Sequence, residues 1–249
     1  MLELYHAEPG ANSLRPLIVL KEKGIDFVSH YVNLLLFEQH APAFVAINPN
    51  GQVPALVHDG ELITESAVIG EYLDDVFHEV ALRPHDNAQR ARMRIWTKFC
   101  DEYFNGAVSM LGWHGMVRRI AQNIDEDQLE AVLSRIPLKE QRDKWATIAG
   151  DSFTEAELAE SRRRIEVSVA KMEAILARSE WLAGPTYSLA DINTLGIAGY
   201  IPRMMPELMN DQATPGCMRW LAEINARPGV QAALAMPNRL EETFKALGV

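Results

Sequence analysis

Strand-like patterning ends near residue 78 of this 249-residue chain, and every strong apolar pattern beyond that point repeats at three or four residues. A mixed α/β unit must therefore be followed by a helical one, each burying its own apolar face. In the first unit "LELYH" alternates Leu2 and Leu4 with polar neighbours, and "DFVSHYVNL" is rich in β-branched and aromatic residues, so both read as strands. Between them "SLRPLIVLKEKG" carries Pro16 in its first turn and stops at Gly24, the marks of a helix, which gives β-α-β. "VPALVHDGELIT" follows as two short strands turned on Asp59-Gly60, and "SAVIGEYLDDVF" sets Val68, Ile69, Tyr72, Leu73 and Val76 at helical spacing.

After "HEVALRPHDN" the pattern is helical. Met93, Trp96, Phe99, Tyr103, Ala107 and Met110 recur every three or four residues, as do Leu158, Ile165, Val169, Met172 and Leu176. The division expected is a first domain over 1–78, a linker over 79–87 and an all-helical domain over 88–249. Residues 114–152 are polar, weakly periodic and broken at Pro137, and read as an insertion of short helices and loop.

The charge balance narrows the partners. A formal net charge of −10, with no Lys/Arg stripe among aromatics, opposes binding to phosphate backbones, so nucleic acid is not expected. No apolar run approaches the ~20 residues of a membrane span, and "MLELYHAEPG" lacks a basic and apolar leader, so a cytoplasmic protein is expected. Cys100 and Cys217 stand far apart and flank no histidine cluster, which argues against a disulfide framework or a zinc site; Cys100 falls on the apolar pattern. Cys-x-x-Cys, Gly-x-Ser-x-Gly and His-Glu-x-x-His are all missing, and no metal is expected.

Four places carry chemistry-bearing residues. In "PGANSLRP", Ser13 stands where strand gives way to helix, and it either caps the helix or donates a hydrogen bond to a bound thiolate with Asn12 as a second donor. A free thiol keeps its proton to about pH 8.5, so such donors raise the reactive fraction at neutral pH. Val53-Pro54 opens a strand, where proline fits an edge or a cis bond that frees the Val53 backbone for an extended peptide. Glu65-Ser66 begins a helix and suits an α-amino acid zwitterion, the carboxylate on Ser66 and the ammonium on Glu65, although helix capping uses the same residue types. Gln39-His40 precedes the proline-bearing strand and could meet a carboxylate or lie in a solvated loop. Ser188 and Asp191 in "YSLADIN" make a capping box, a structural element.

Together these residues resemble the glutathione S-transferase superfamily over essentially the whole chain. "NPNGQVPALVHDGELITESAVIGEYL" looks like its glutathione-site signature and "SLADI" like the capping element of its C-terminal domain. The resemblance implies a thioredoxin-like domain followed by an all-α helical bundle, with glutathione as co-substrate and dimers, homo- or heteromeric, as the assembly. It implies that Val53, beside a cis Pro54, binds the cysteinyl backbone, that Glu65 and Ser66 hold the γ-glutamyl end, that Gln39 and His40 lie near the glycyl end, and that Gln52 also touches glutathione. Ser13 matches the activating hydroxyl of serine-type members, whereas Tyr5 lies inside the first strand. A narrower resemblance, carried by "PGANSLRPL", "FEQH", "RIWTKFCDEYF" and "IPLKEQRDKW", is to bacterial β-etherases of lignin breakdown. That likeness implies stereospecific cleavage of α-keto β-aryl ethers by thiolate attack. The alternatives are another electrophile, as in isomerases or dehalogenases, and a non-catalytic binding module. Tyr103, Met110, Trp113, Trp145 and Tyr200 are the candidates for lining an aromatic pocket, with core packing as the competing role.

Overall fold

The computed structural model describes residues 1–247. Strands β1 (Leu2–His6), β2 (Val28–Tyr31), β3 (Ala55–His58) and β4 (Glu61–Ile63) form one sheet in the order β2-β1-β3-β4. β1 pairs parallel with β2, and such a pair needs a crossover, which helix α1 (Ala11–Lys23) supplies. β3 runs antiparallel to β1 and to β4, and the β3–β4 turn has positive φ at both Asp59 (51°) and Gly60 (91°), the turn expected from that dipeptide. On one side of the sheet Leu2, Leu4 and Leu56 join the main core; on the other, Tyr5 and Ala55 meet Phe44 of the short helix α2 (Pro42–Val45).

Helix α1 stops where Gly24 turns left-handed (φ 64°) and its N–H returns to the Leu20 and Lys21 carbonyls. Every residue from Ser13 to Leu20 is buried, because α1 lies between α3 (Ser66–Val76) on its own domain and helices of the second. Asp74 of α3 fastens the connection between domains: it pairs with Lys23 at 2.6 Å and accepts from Leu82 N–H at 2.8 Å and Arg83 Nε at 2.7 Å. Burial pushes its pKa up, but these donors outweigh burial and hold it below the ordinary carboxylate value.

The second unit opens with one helical run in which α4 (Asn87–Phe99), α5 (Asn105–Gly112) and α6 (Arg118–Ala121) are joined by π-turns at Cys100–Phe104 and Trp113–Val117. A π-turn adds a residue to a turn and redirects the face that follows, a device common beside functional sites. α7 (Glu126–Leu133) and α8 (Lys139–Ala149) follow, then the long α9 (Glu155–Leu176), capped by the Thr154–Glu157 box. α10 (Leu189–Ala198) is buried along its whole length and starts at the Ser188–Asp191 capping box. Asp191 also accepts from Leu182 N–H and Trp220 Nε1, each at 3.0 Å; burial raises its pKa to about 6 while these donors pull against it. α11 (Ile201–Met204), α12 (Pro215–Asn225), α13 (Pro228–Leu234) and α14 (Leu240–Leu247) complete the chain, with Thr243 Oγ1 accepting from Asn33 Nδ2 at 2.8 Å.

The segment over 114–152 has its own small core of Val117, Ala121, Val132, Ile136, Trp145 and Ile148. Phe37 of the first domain completes it, with ring centroids 4.7 Å from Trp145. Cys100 is buried with Sγ 3.4 Å from Thr194 Oγ1, a core position as its place in the pattern indicates.

α10 reaches the start of α1 through Gly196, where an added Cβ would stand 2.3 Å from the Ala11 carbonyl oxygen. A backbone oxygen cannot swing away as a side chain can, so Gly196→Ala must separate the two helices. The expected result is a loss of about 1–3 kcal/mol in urea unfolding, the usual cost of overpacking; an unchanged midpoint would show that the helices part without cost.

Candidate active site

The strand register gathers the candidate residues at one edge of the sheet. His6 at the end of β1 pairs with Tyr31 at the end of β2, Tyr5 opposes Ala55 at the start of β3, and Leu56 opposes Ile63 at the end of β4. The segments holding Asn12-Ser13, Gln39-His40, Gln52-Val53-Pro54 and Glu65-Ser66 all leave the sheet on that side.

Ser13 is the third residue of α1 and does not cap it; Gly10 holds the cap position and no side chain closes it. The Ser13 hydroxyl instead accepts the Ala7 N–H at 3.1 Å, which leaves its own proton to donate elsewhere. Ala7 is held by His6, whose Nδ1 donates to the Ala7 carbonyl at 2.7 Å while Nε2 accepts from Ser29 Oγ at 2.7 Å. The carbonyl can only accept, so this tautomer is set, and burial lowers the His6 pKa and favours the neutral ring. The amides of Ala11, Asn12 and Ser13 have no partner among the described residues, as in the first turn of any helix. Asn12 Oδ1 accepts from Asn105 Nδ2 of α5 at 3.3 Å.

The Val53-Pro54 bond is cis. Val53 lies outside the strands, and neither its N–H nor its C=O is bonded among the described residues; the neighbouring Gln52 carbonyl accepts from Asn48 Nδ2 at 2.7 Å. Glu65 is exposed at φ 64°, a costly conformation for a residue with a Cβ, and its side chain makes no capping bond. Ser66 is buried at the start of α3, and its hydroxyl accepts from Arg15 Nη1 at 3.0 Å. Helix capping therefore accounts for neither.

Arg15 was not singled out by sequence reasoning. It is 2% exposed; Nη1 also donates to Asp101 Oδ1 at 2.6 Å, Nε donates to the Asn193 carbonyl at 3.0 Å, and Nη2 has no partner among the described residues. The one signal available was its position in "SLRPLIVL", a charge inside an otherwise apolar run.

Gln39 and His40 occupy a short 3-10 turn and are 7% and 5% exposed, so the solvated-loop reading of His40 is overturned. Gln39 Nε2 reaches the Leu34 carbonyl only at 3.5 Å, and Gln39 Oε1 and His40 Nδ1 have no partner among the described residues. Buried polar atoms without partners are expensive, so the two on this turn fit a polar ligand better than an empty wall. Gly51, at φ 60°, lets this turn close up: a Cβ there would stand 2.8 Å from His40 Nδ1 and 3.2 Å from Pro137.

The aromatic candidates divide. Tyr103 lies under the Arg164 guanidinium at 4.3 Å and Met110 Sδ is 3.1 Å from Ser161 Oγ, so both pack against α9, the competing role to lining a pocket. Trp113 and Trp145 belong to the insertion core, and Tyr200, 51% exposed, stands with its hydroxyl beside Gly10. Tyr5 stacks on His30 at 4.3 Å. Among the described residues no cluster of His, Cys, Asp or Glu is arranged to hold a metal.

Burial, with the nearby Arg135 charge, lowers the His40 pKa to about 4. The fold thus favours the neutral ring, the unfolded chain takes up the extra proton between its ordinary pKa near 6.5 and about 4, and stability falls as pH drops through that window. Thermal melts across that range are expected to decline less for His40→Gln than for the parent. Asp191 acts in the opposite sense in both proteins and cancels; parallel curves would place no titration at His40.

Comparison with known proteins agrees with this geometry. The family model described as glutathione S-transferase, N-terminal domain, matches residues 10–76, and the one described as glutathione S-transferase, C-terminal domain, matches residues 109–228. The chain is 45% identical to Protein LigF of Sphingobium sp. (strain NBRC 103272 / SYK-6), over 92% of this chain and 91% of that protein. It superimposes on the crystal structure of beta-etherase LigF from strain SYK-6 with a TM-score of 0.91 and 44% identity, covering 95% of this chain and 99% of that one. Glutathione S-transferase 3 of Zea mays is 28% identical over 94% of this chain and 93% of that protein. With a thioredoxin-like four-stranded domain, a helical second domain and both family models matched along its length, the chain belongs to the glutathione S-transferase family.

Proposed function

We propose that this protein cleaves the β-aryl ether bond of lignin-derived α-keto aromatic compounds with glutathione as co-substrate, acting on one enantiomer. The observation that carries the reading is the end-to-end likeness to a β-etherase, 44% identity at a TM-score of 0.91. Residues 1–78 serve as the glutathione domain and 88–249 as the helical domain, joined by the linker over 79–87.

In this reading glutathione lies along the edge of the sheet described above. The free Val53 N–H and C=O pair with its cysteinyl backbone beside Pro54. Ser66 and the first-turn amides of α3 receive the γ-glutamyl carboxylate and Glu65 its ammonium. Gln39 and His40 attend the glycyl end with their atoms that have no partner among the described residues, and Gln52 also touches glutathione. The Ser13 hydroxyl, its lone pair engaged by Ala7 N–H, donates to the sulfur, with Asn12 as second donor.

The thiolate then attacks the carbon that bears the aryl oxygen and lies next to the ketone. A C–S bond forms, the C–O bond breaks, its electron pair leaves on oxygen, and the carbon inverts. The carbonyl activates that carbon, so the protein must supply a thiolate, alignment and a dry site. We further infer a cytoplasmic dimer, homodimeric by default with a heterodimer as the other possibility; exposed Val68 and Ile95, 54% and 65% accessible, give α3 and α4 apolar surface suited to it.

The test is phenolate release from each enantiomer of a chromogenic α-keto β-aryl ether in the presence of glutathione. Release from one enantiomer is expected; release from neither, with turnover of alkyl halides or maleyl ketoacids, would assign the site to another electrophile. Binding of glutathione with no turnover of any electrophile would leave a binding module. For Ser13→Ala a charge-assisted hydrogen bond is lost, and the single-turnover rate is expected to fall roughly 10–100-fold with the glutathione KM little changed. An unchanged rate would remove Ser13 from the chemistry.

A further inference from the structure

The ether reaction leaves a phenolate, and nothing assigned so far receives it. From Asn12 a line of side-chain contacts runs across the helical domain and back to the other end of the glutathione site. Asn12 meets Asn105; one turn further along α5 Ser109 Oγ accepts from Lys144 Nζ of α8 at 3.0 Å; and that ammonium sits 4.1 Å from the centre of the Trp113 ring. Trp113 packs edge-on against Trp145 at 5.0 Å, Trp145 meets Phe37 at 4.7 Å, and Phe37 lies 6.5 Å from the His40 ring. Asn105, Ser109 and Trp113 are spaced at i, i+4 and i+8, so this face of α5 and the π-turn after it forms one side of the line.

Lys144 is the member of this line that packing alone does not explain. Among the described residues no carboxylate lies within ion-pair distance of it; a hydroxyl and an indole face are its partners. Lys144 is half-buried, and even a partial withdrawal of an ammonium from water without a counter-charge is costly. A cation held by a hydroxyl and a ring face keeps its charge available to an anion. Burial also lowers the Lys144 pKa to about 8, while a phenol holds its proton to about pH 10, so a proton passes downhill from this ammonium to a phenolate.

We propose that Lys144, held by Ser109 and the Trp113 ring, is the catalytic acid that meets the departing aryl oxygen. The proposal rests on the ether-cleaving reading above. Ser109 lies about 6 Å along α5 from Asn105, which itself meets Asn12, so the Lys144 ammonium stands one helical turn on from the residues assigned to the sulfur. As the C–O bond breaks, its electron pair moves to oxygen and the Lys144 ammonium donates a hydrogen bond and then its proton. The products are the neutral phenol and the glutathionyl ketone; the Lys144 amine regains a proton from water, which balances the one that glutathione released on forming its thiolate.

The experiment mixes enzyme preloaded with glutathione against two ethers of one ketone, one releasing a methoxyphenol and the other a nitrophenol, and follows a single turnover. Nitrophenolate needs no acid, so Lys144→Met is expected to slow methoxyphenol release roughly 100-fold and nitrophenol release less than about 5-fold. The glutathione KM is expected to stay within about twofold, because Lys144 is assigned no contact with glutathione. Lys144→Arg keeps a cation that cannot give up its proton, and is expected to fall between parent and Met variant for methoxyphenol. If the Met variant does not fold, the parent still decides: a rate decrease in deuterium oxide is expected with the methoxyphenol ether and not with the nitrophenol ether. Equal slowing of both ethers, no isotope effect on either, or a raised glutathione KM with unaltered leaving-group dependence would overturn the proposal. Phenol release from neither ether by the parent protein would instead remove the ether-cleaving reading, and Lys144's role with it.

Discussion

Arg15 holds the two domains to one another at the place where the chemistry is proposed. Its guanidinium is shared by Ser66 at the head of α3, Asp101 in the first π-turn of the helical domain and the Asn193 carbonyl of α10. Taking a guanidinium out of water costs several kcal/mol, and the acceptors on Nε and Nη1 offset much of it while Nη2 has none among the described residues. The domains therefore cannot slide past each other by small amounts, since any slip strands a buried charge. Ser13 and Arg15 are two residues apart, about 200° around the helix. One buried turn thus presents a hydroxyl on one side and an interdomain clamp on the other, and the reacting group inherits the clamp's rigidity.

A second layer of support lies behind Ser13. His6 fixes Ala7 through its carbonyl, and Ala7 fixes the Ser13 hydroxyl through its amide. The chain of donors has one direction, because each carbonyl can only accept. The Ala7 amide occupies one lone pair of the Ser13 hydroxyl, which leaves its proton to donate. The contrast with Gln39 and His40 is instructive: there the polar atoms are buried and left without partners, an arrangement that waits for a ligand to complete it.

Much of this was legible in the sequence because it is local. Gly24, Asp59-Gly60 and the Ser188–Asp191 box act through the backbone within a few residues, and the structure bears out each of them. Pro54 was legible for the same reason, as a residue ill suited to an ordinary strand, whereas the left-handed backbone of Glu65 could not be read from sequence. Arg15 was not, since its partners lie 51, 86 and 178 residues away and a lone arginine in a helix reads as a surface charge. Tyr103 and Met110 stayed open between core and pocket because periodicity gives a face but not its neighbour. The π-turns redirect the faces that follow them, and the side that meets α9 could not be told from the side that meets Asn12.

The same limit explains the weak pattern over 114–152. A helix pair that shares its core with a distant residue does not show a complete apolar stripe of its own. Phe37 supplies the missing piece and does so from a left-handed backbone position (φ 58°) three residues ahead of His40. In descent this makes the segment a poor traveller. A glutathione transferase that acquired these helices without an aromatic side chain at that turn would carry an unsealed core. One that lost them would expose Phe37 and loosen the turn that holds its own co-substrate. The segment and the turn that carries His40 are therefore coupled through Phe37, so that a change in one is felt by the other.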